Sequence, residues 1–396
     1  MKKLLKGNAT CAEAVKMANV DVIAAYPITP QTPVIEKLAL EKEKGNLKAE
    51  YIFVESEHSS MAVCIGAASA GARTFTASSA NGIALMHEVL HWAASSRLPI
   101  VMAAINRAMS APWSIWCDHQ DTISQRDTGW IQFYCENNQE IFDICIQSFK
   151  IAESVRIPAM VCYDGFILSE LTMIVEIPEQ EKINKFLPQN NITSILDINN
   201  PLIINSVVTP QRRKTKENNL ANNYFDFRIQ FQEDMINSID TIKKINKEYK
   251  EITGNKTETI LETYKINDAE LILISIGSLT SDLKETVNLL REDNIKTGLI
   301  ALKLYRPFPV FDLFELLKHE QKIIVFDKNI SFGYQGALLT DILALLKSHK
   351  LNNDVQGVIL GLGGAKTSAF DIYLLVKKIF NEKLFNQKYF YLNENE

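Results

Sequence analysis

Four short stretches of this sequence carry side chains that could do chemistry. Thr29 in "AAYPITPQTP", Glu57 in "VESEHSS", the polar run Ser78 to Asn81, and Asn106-Arg107 each follow an apolar run that reads as a buried strand. A hydroxyl, a carboxylate and a guanidinium brought together suit a small carboxylate substrate beside a nitrogen heterocycle. Each residue alone also has a plainer reading. Thr29 can cap a helix whose first position is Pro30, Glu57 can be a first-turn acid favoured by the helix dipole, and Arg107 can lie in a surface ion pair. The site reading gains weight because loops after strand carboxyl ends share one crevice in an open α/β sheet.

Other candidates are weaker. His119 stands between Asp118 and Asp121, but it lacks ligand spacing to a second histidine, and His58, His87 and His91 lie on other segments; loop hydrogen bonding is the expectation, and no metal ligand is assigned. Ser59 and Ser60 beside His58 have no nucleophile elbow around them. "GAASAGAR" has neither the Lys-Ser/Thr of a phosphate loop nor dinucleotide spacing, and "GLGGAK" after a late strand is one isolated run. All six cysteines precede residue 163 and none forms a C-x-x-C pair, so structural disulfides and a complete iron–sulfur or zinc site are not expected.

These loops need strands to carry them, and the chain supplies them in alternation with helices. "VDVIAAY", "AEYIFVES", "RTFTASS", "LPIVMAAINR" and "PAMVCYDGF" read as strands. Helices follow over "SEHSSMAVCIGAASAGA", "NGIALMHEVLHWAASS" and "NQEIFDICIQSFKIAESV". "TCAE" has capping-box spacing from Thr10 to Glu13 at the start of the first helix. Such alternation implies an α/β layer with a mostly parallel sheet. From about Glu176 the chain turns rich in Asn and Pro with little periodicity, an irregular connector. Met235, Ile239, Ile242 and Ile245 then recur at helical spacing in a linker helix. A second α/β unit begins near Ala269, and "VQGVILGLGG" reads as its final strand. Arg306, Asp327 and Asn329 in this unit are assigned to interdomain packing.

At 396 residues, with 46% hydrophobic and 22% charged side chains, the composition is that of a globular protein of two or three domains. A net charge of −5 gives no reason to expect nucleic acid or an anionic membrane as partner. No apolar run reaches the roughly 18 residues of a membrane span. Lys2 and Lys3 are not followed by a continuous apolar core, so no signal peptide and a cytoplasmic location are expected.

The strings "GNATCAEAVKMANVDVIAAYPITPQTPVIEKLA", "ESEHSSMAVCIGAASAGARTFTASS" and "NRAMSAPWSIWCDHQDTISQRDTGWIQFY", with the later "LYRPFP" and "DKNISFGYQGAL", resemble the alpha subunit of pyruvate:ferredoxin (or flavodoxin) oxidoreductase, also called pyruvate synthase, over nearly the whole chain. The resemblance implies a doubly wound thiamine-diphosphate-binding domain of the pyrimidine type over residues 1–175. A connector with a linker helix over 176–264 and a transketolase C-terminal-like α/β domain over 265–396 would follow. Glu57 would match the glutamate that hydrogen-bonds N1′ of the aminopyrimidine, an acid whose proton favours the tautomer that activates the cofactor. Thr29 and Arg107 would match the residues that hold the pyruvate carboxylate.

The family decarboxylates a 2-oxoacid on thiamine diphosphate, hands the acyl group to coenzyme A and passes electrons to iron–sulfur clusters. This chain has no G-D-G with a distant Asn to hold Mg²⁺ and the diphosphate, and no cluster cysteines. The resemblance therefore implies a hetero-oligomer in which a beta subunit shares thiamine diphosphate and holds Mg²⁺. Ferredoxin-like gamma and delta subunits would carry the iron–sulfur clusters, with ferredoxin or flavodoxin as acceptor. Relatives acting on 2-oxoglutarate or branched 2-oxoacids share a similar Tyr-Pro-Ile-Thr-Pro start. "SAPWSIWCDH" looks more like the pyruvate branch, with Trp113 and Trp116 compatible with a small pocket. A non-catalytic structural subunit, or a stand-alone nucleotide-binding α/β protein, are the readings from other classes.

Overall fold

The computed structural model describes residues 1–189 and 223–393; much of the Asn-rich connector expected after Glu176 lies outside the described residues. Among the described residues the strands form two large sheets and one small one. The first large sheet runs, edge to edge, Leu304–Arg306, Ile131–Tyr134, Ala159–Asp164, Ile100–Asn106, Thr74–Ser78, Val22–Ala25, Glu50–Phe53. All its neighbours are parallel except Leu304–Arg306, which comes from the C-terminal half of the chain and pairs antiparallel with Ile131–Tyr134. The second runs Phe390–Leu392, Val355–Leu360, Lys322–Asp327, Leu271–Ile276, Thr297–Leu302, Leu261–Tyr264, with only the last strand antiparallel.

Period-two alternation splits each buried strand between two apolar layers. Val101, Ala103 and Ile105 face the layer under helices Gly7–Met17 and Asn138–Val155, whereas Ile100, Met102 and Ala104 face the opposite layer with Met61, Cys64 and Leu90. That second layer is continuous with one face of the second sheet, through Ile272, Ile274, Ile300 and Val325. The sheets therefore share a core, and the far face of the second sheet packs Leu271, Leu273 and Leu299 against Leu283, Val287 and Val376 of helices Leu279–Glu292 and Ala369–Asn381. The linker helix is Tyr224–Thr253. Asn223 and Asp226 close a capping box at its start; of the residues at helical spacing Met235, Ile242 and Ile245 are buried and Ile239 is half-buried, and Tyr249 extends the buried face.

Several local expectations are corrected. The first helix begins at Gly7, because Lys2–Lys6 is a strand paired antiparallel with Thr172–Glu176. Thr10 and Glu13 therefore sit inside the helix: Thr10 Oγ1 donates back to Lys6 O at 2.9 Å, and Glu13 pairs with Lys3 and Lys16. The helix after "AAY" begins at Thr32 with Gln31 at the N-cap, so Thr29 does not cap it and Pro33, not Pro30, occupies its first turn. Thr29-Pro30 is a cis peptide in the turn between strand and helix. "WIQFY" supplies an unanticipated strand, and helix Ala369–Asn381 and strand Phe390–Leu392 follow the expected final strand. Among the described residues, no helix is long and apolar enough to cross a membrane.

Strand order places the functional edge. From Val22–Ala25 the first sheet grows one way to Glu50–Phe53 and the other way to Thr74–Ser78. The order reverses between Val22–Ala25 and Thr74–Ser78, and a crevice opens outside the carboxyl ends of strands at such a switch point. The loops that flank it are Tyr26–Gln31 and Ser79, with Glu57 opening the helix between them in sequence.

Candidate active site at the carboxyl edge of the first sheet

Glu57 is placed by its cap. Ser56 is extended and its hydroxyl accepts from Ser59 N at 3.2 Å, which makes Glu57 the first residue of helix Glu57–Ser69. One turn on, Ser60 Oγ donates to Ala24 O at 2.6 Å and lies 2.8 Å from Thr76 Oγ1, pinning the helix across the switch point. Glu57 is 6% exposed. Its carboxylate makes no hydrogen bond or ion pair with a described residue. Gly82 makes the space for it: a Cβ there would lie 2.5 Å from Glu57 Oε1 and 2.5 Å from Ser78 Oγ. The Ser78 and Ser79 hydroxyls are likewise buried without a partner among the described residues. Buried polar groups normally find partners. A carboxylate and two hydroxyls left over at one sheet edge fit a polar heterocycle, and so fit the pyrimidine end of thiamine diphosphate.

Arg107 and Thr29 are brought together, though by the backbone of Thr29 and not its hydroxyl. Arg107 Nη1 donates to Thr29 O at 2.8 Å, and Nε reaches Ser114 O at 3.4 Å. Arg107 is half-buried and Thr29 is exposed, so donor capacity of the guanidinium and the Thr29 hydroxyl both remain toward solvent. The turn beneath them is rigid. Gln31 Nε2 donates to Ala77 O at 3.0 Å, and Asn8 Nδ2 to Pro30 O at 2.9 Å.

Asp121 joins these parts. Its Oδ2 accepts from Ala80 N at 2.9 Å and Arg107 N at 3.0 Å, and its Oδ1 from Asn106 Nδ2 at 2.8 Å and Thr122 N at 2.8 Å. One fully buried carboxylate thus fixes both the backbone of Arg107 and the start of the Ala80–Leu85 helix that carries Gly82. Burial pushes its pKa up to about 7 against the donors Asn106, Ala80 N and Arg107 N.

His119, expected in loop hydrogen bonding, is buried with Nε2 2.8 Å from Asp164 Oδ1. The ligand atoms of Cys117, His119 and Asp164 lie within 4.8 Å of one another. A lysine already supplies the positive charge there. Lys328 Nζ, from the second unit, donates to Asp164 Oδ2 at 2.6 Å and to Cys117 Sγ at 3.4 Å, and Ser278 Oγ donates to the same Asp164 oxygen. Burial raises the Asp164 carboxyl, but Lys328 and His119 outweigh it and hold its pKa well below the usual range; burial and then the Asp164 charge push the Cys117 thiol up. Asp327, next in sequence to Lys328, serves its own unit by accepting from Leu338 N and Leu339 N at the start of helix Ala337–Ser348. Arg306 pairs with Asp341 at 2.9 Å, also within that unit.

A cleft of about 520 Å³ between the units is lined by Trp116, Phe166, Leu171, Ser278, Lys328 and Gly364, and none of Thr29, Glu57 or Arg107 borders it. The predicted residues sit instead on the open edge. Trp116 stacks on Phe166 with centroids 4.8 Å apart, while Trp113 is 73% exposed. Sequence reasoning named the Ser78 to Asn81 run as a candidate stretch but missed Gly82 as the space beside Glu57, Asp121 as the hub, and Lys328 as an interdomain cation. For Asp121 the available signal was a second acid three residues after Asp118.

Taken together, fold and edge define a thiamine-enzyme-like α/β protein. A split-gene transketolase shares the fold with a TM-score of 0.56, 11% identity, and coverage of 95% of this chain and 99% of that one. So does a 2-oxoglutarate:ferredoxin oxidoreductase from Magnetococcus marinus, solved with 2-oxoglutarate, coenzyme A and succinyl-CoA bound (TM-score 0.70, 20% identity, 95% of this chain). The chain spans 65% of the length of that structure's chain. Residues 13–250 match the family described as "Pyruvate flavodoxin/ferredoxin oxidoreductase, thiamine diP-bdg", and 269–372 match "Pyruvate:ferredoxin oxidoreductase core domain II". The ketoisovalerate oxidoreductase subunit VorA of Pyrococcus abyssi is 43% identical over 94% of this chain and 92% of its own length. The pyruvate synthase subunit PorA of Methanocaldococcus jannaschii is 43% identical over 95% and 94%. The chain belongs to the pyruvate flavodoxin/ferredoxin oxidoreductase family.

Proposed function

We propose that this chain is the alpha subunit of a pyruvate:ferredoxin or flavodoxin oxidoreductase, which oxidatively decarboxylates pyruvate to acetyl-CoA and CO2. The observation that carries the reading is the Glu57 carboxylate, buried against Gly82 at the switch point with no partner among the described residues. Thiamine diphosphate, when bound, supplies the carbanion chemistry of decarboxylation. Glu57 presents its carboxyl to the N1′ position of the pyrimidine and holds or shares the proton there. Arg107, oriented by Thr29 O and Ser114 O, turns its free N–H groups to the substrate carboxylate, and the Thr29 hydroxyl donates to the other oxygen.

Residues 1–175 form the pyrimidine-binding domain in this reading, 176–264 the connector and 265–396 the transketolase C-terminal-like domain. A beta subunit closes the site with Mg²⁺ and the diphosphate pocket, and gamma and delta subunits carry the iron–sulfur clusters to ferredoxin or flavodoxin. The complex works in the cytoplasm with coenzyme A as second substrate. A branched 2-oxoacid is the second reading, favoured by relatives named for ketoisovalerate at the same 43% identity as those named for pyruvate.

The test is an anaerobic assay of the complex captured through this chain, following coenzyme A-dependent reduction of a low-potential dye. Pyruvate is expected to have a kcat/KM at least tenfold above 2-oxoisovalerate, which carries two more carbons, and 2-oxoglutarate, which carries a second carboxylate; a single methylene alone can provide roughly 10–200-fold. Preference for 2-oxoisovalerate selects the second reading, and no turnover with any 2-oxoacid in a complex containing thiamine and iron removes both.

A further inference from the structure

We infer that the Leu362–Gly364 loop of the second unit positions Arg107 for the substrate carboxylate, so that this unit sets 2-oxoacid affinity without touching the substrate. The inference rests on the proposed role of Arg107.

The segment from Ala108 to Gln120 leaves the first sheet, and the second unit grips it at every turn. Ser114 Oγ donates to Gly363 O at 3.2 Å, Gly363 N donates to Asp118 Oδ2 at 3.2 Å, and Gly364 N donates to Cys117 O at 2.8 Å. His119 N donates to Lys328 O at 2.8 Å, and Ile330 N donates to Gln120 Oε1 at 3.2 Å. The segment then returns to the site. Ser114 O accepts Arg107 Nε, Ala108 N donates to Trp116 O at 2.9 Å, and Asp121 holds the Arg107 amide. Two bonds thus connect Gly363 to the guanidinium, both through Ser114.

Gly364 shows how closely the two units fit. Its φ is +78°, and a Cβ there would lie 2.3 Å from Trp116 Cβ. A side chain at 364 has to push the Trp116 segment away or unwind the loop. The "GLGGAK" run therefore has a use other than phosphate binding: its backbone amides are turned onto Cys117 and Asp118, and the helix that follows is capped by its own Ser368. A displacement of about 1 Å at a positioned group can cost up to a hundredfold.

The experiment measures kcat and separate KM values for the 2-oxoacid and coenzyme A in the assembled complex carrying Ser114→Ala, Gly364→Ala, Arg107→Ala or the Arg107→Ala/Gly364→Ala pair. Ser114→Ala and Gly364→Ala are expected to raise the 2-oxoacid KM by about tenfold, with kcat and the coenzyme A KM within about twofold. The pair is expected to be no worse than Arg107→Ala alone, because the loop acts only through that side chain. If Gly364→Ala does not assemble, Ser114→Ala decides. Unchanged 2-oxoacid KM in these variants while Arg107→Ala raises it, an equal rise for coenzyme A, or additive effects in the pair would overturn the inference and leave the Arg107 reading standing. An unchanged KM in Arg107→Ala removes both.

Discussion

The carboxyl edges of the two sheets are built alike and used differently. On the first sheet, the loops after the strands leave polar groups over: the Glu57 carboxylate, the Ser78 and Ser79 hydroxyls, and part of the Arg107 guanidinium. On the second, the loops direct theirs onto the first unit, Ser278 and Lys328 onto Asp164 and Gly363 onto Asp118. The crevice rule for open sheets says where ligands bind, and polar groups with unused hydrogen-bonding capacity there are the ones available to a ligand. By that criterion the first edge is the candidate site and the second a brace against the first unit.

The largest expected effect tests the brace. Lys328 and Asp164 are both buried, and removing one partner of such a pair costs about 3–5 kcal/mol because the other charge is left unpaired. Lys328→Met is expected to lower the thermal midpoint of the complex by several degrees and to change its pH profile. In the native protein the depressed Asp164 pKa contributes stability that is present above about pH 4 and is lost as pH falls through its folded value. The raised Lys328 pKa contributes below about pH 10.4 and is lost above it. Between pH 5 and 9 this pair therefore makes no slope. With Lys328 gone, burial leaves Asp164 favouring its protonated form, so the folded state binds the extra proton and the variant gains stability as pH is lowered toward 5. A variant with a flat profile would show that His119 alone neutralises Asp164.

The next effect tests the site. Glu57→Gln keeps the shape beside Gly82 and removes the acid. Turnover of the assembled complex is expected to fall about 100-fold, the lower range for a positioned general acid–base group, with the thermal midpoint unchanged or raised because none of the described residues pairs with the carboxyl that is removed. The opposite pattern, near-full turnover with a lowered midpoint, would make Glu57 a structural acid and this chain a scaffold.

The difference between the edges also explains what the sequence could and could not reveal. Thr29, Glu57 and Arg107 were singled out because each follows an apolar run that reads as a strand; the strands before Thr29 and Arg107 are buried, whereas Glu50–Phe53, before Glu57, is a largely exposed edge strand. The linker helix was legible from the period of Met235, Ile242 and Ile245. Three things were not. The turn "PITPQTP" has two Thr-Pro steps; the first, Thr29-Pro30, reads as the helix start, whereas the structure opens the helix at Thr32-Pro33, three residues on. Strand Leu304–Arg306 joins a sheet built more than 130 residues earlier, a pairing no local pattern encodes. Lys328 reads as an ordinary surface lysine because its partners, Cys117 and Asp164, lie on the other unit.

The smallest effect sharpens the comparison within a single loop. Trp113 and Trp116 lie three residues apart, and both read as candidates for lining a small pocket. Trp116 stacks on Phe166 and lies against Gly364, so it belongs to the brace; Trp113 is 73% exposed and has no aromatic partner among the described residues. Trp116→Ala is expected to cost about 1 kcal/mol for the lost aromatic pair and to disturb 2-oxoacid KM through the Arg107 segment. Trp113→Ala is expected to cost within about 0.5 kcal/mol, as for surface changes without a packed contact. A change in the pyruvate to 2-oxoisovalerate preference in Trp113→Ala, without a change in the thermal midpoint, would move Trp113 to the ligand edge and make it part of the substrate pocket. No change in either would leave specificity to groups deeper in the crevice, around Ser78, Ser79 and Glu57.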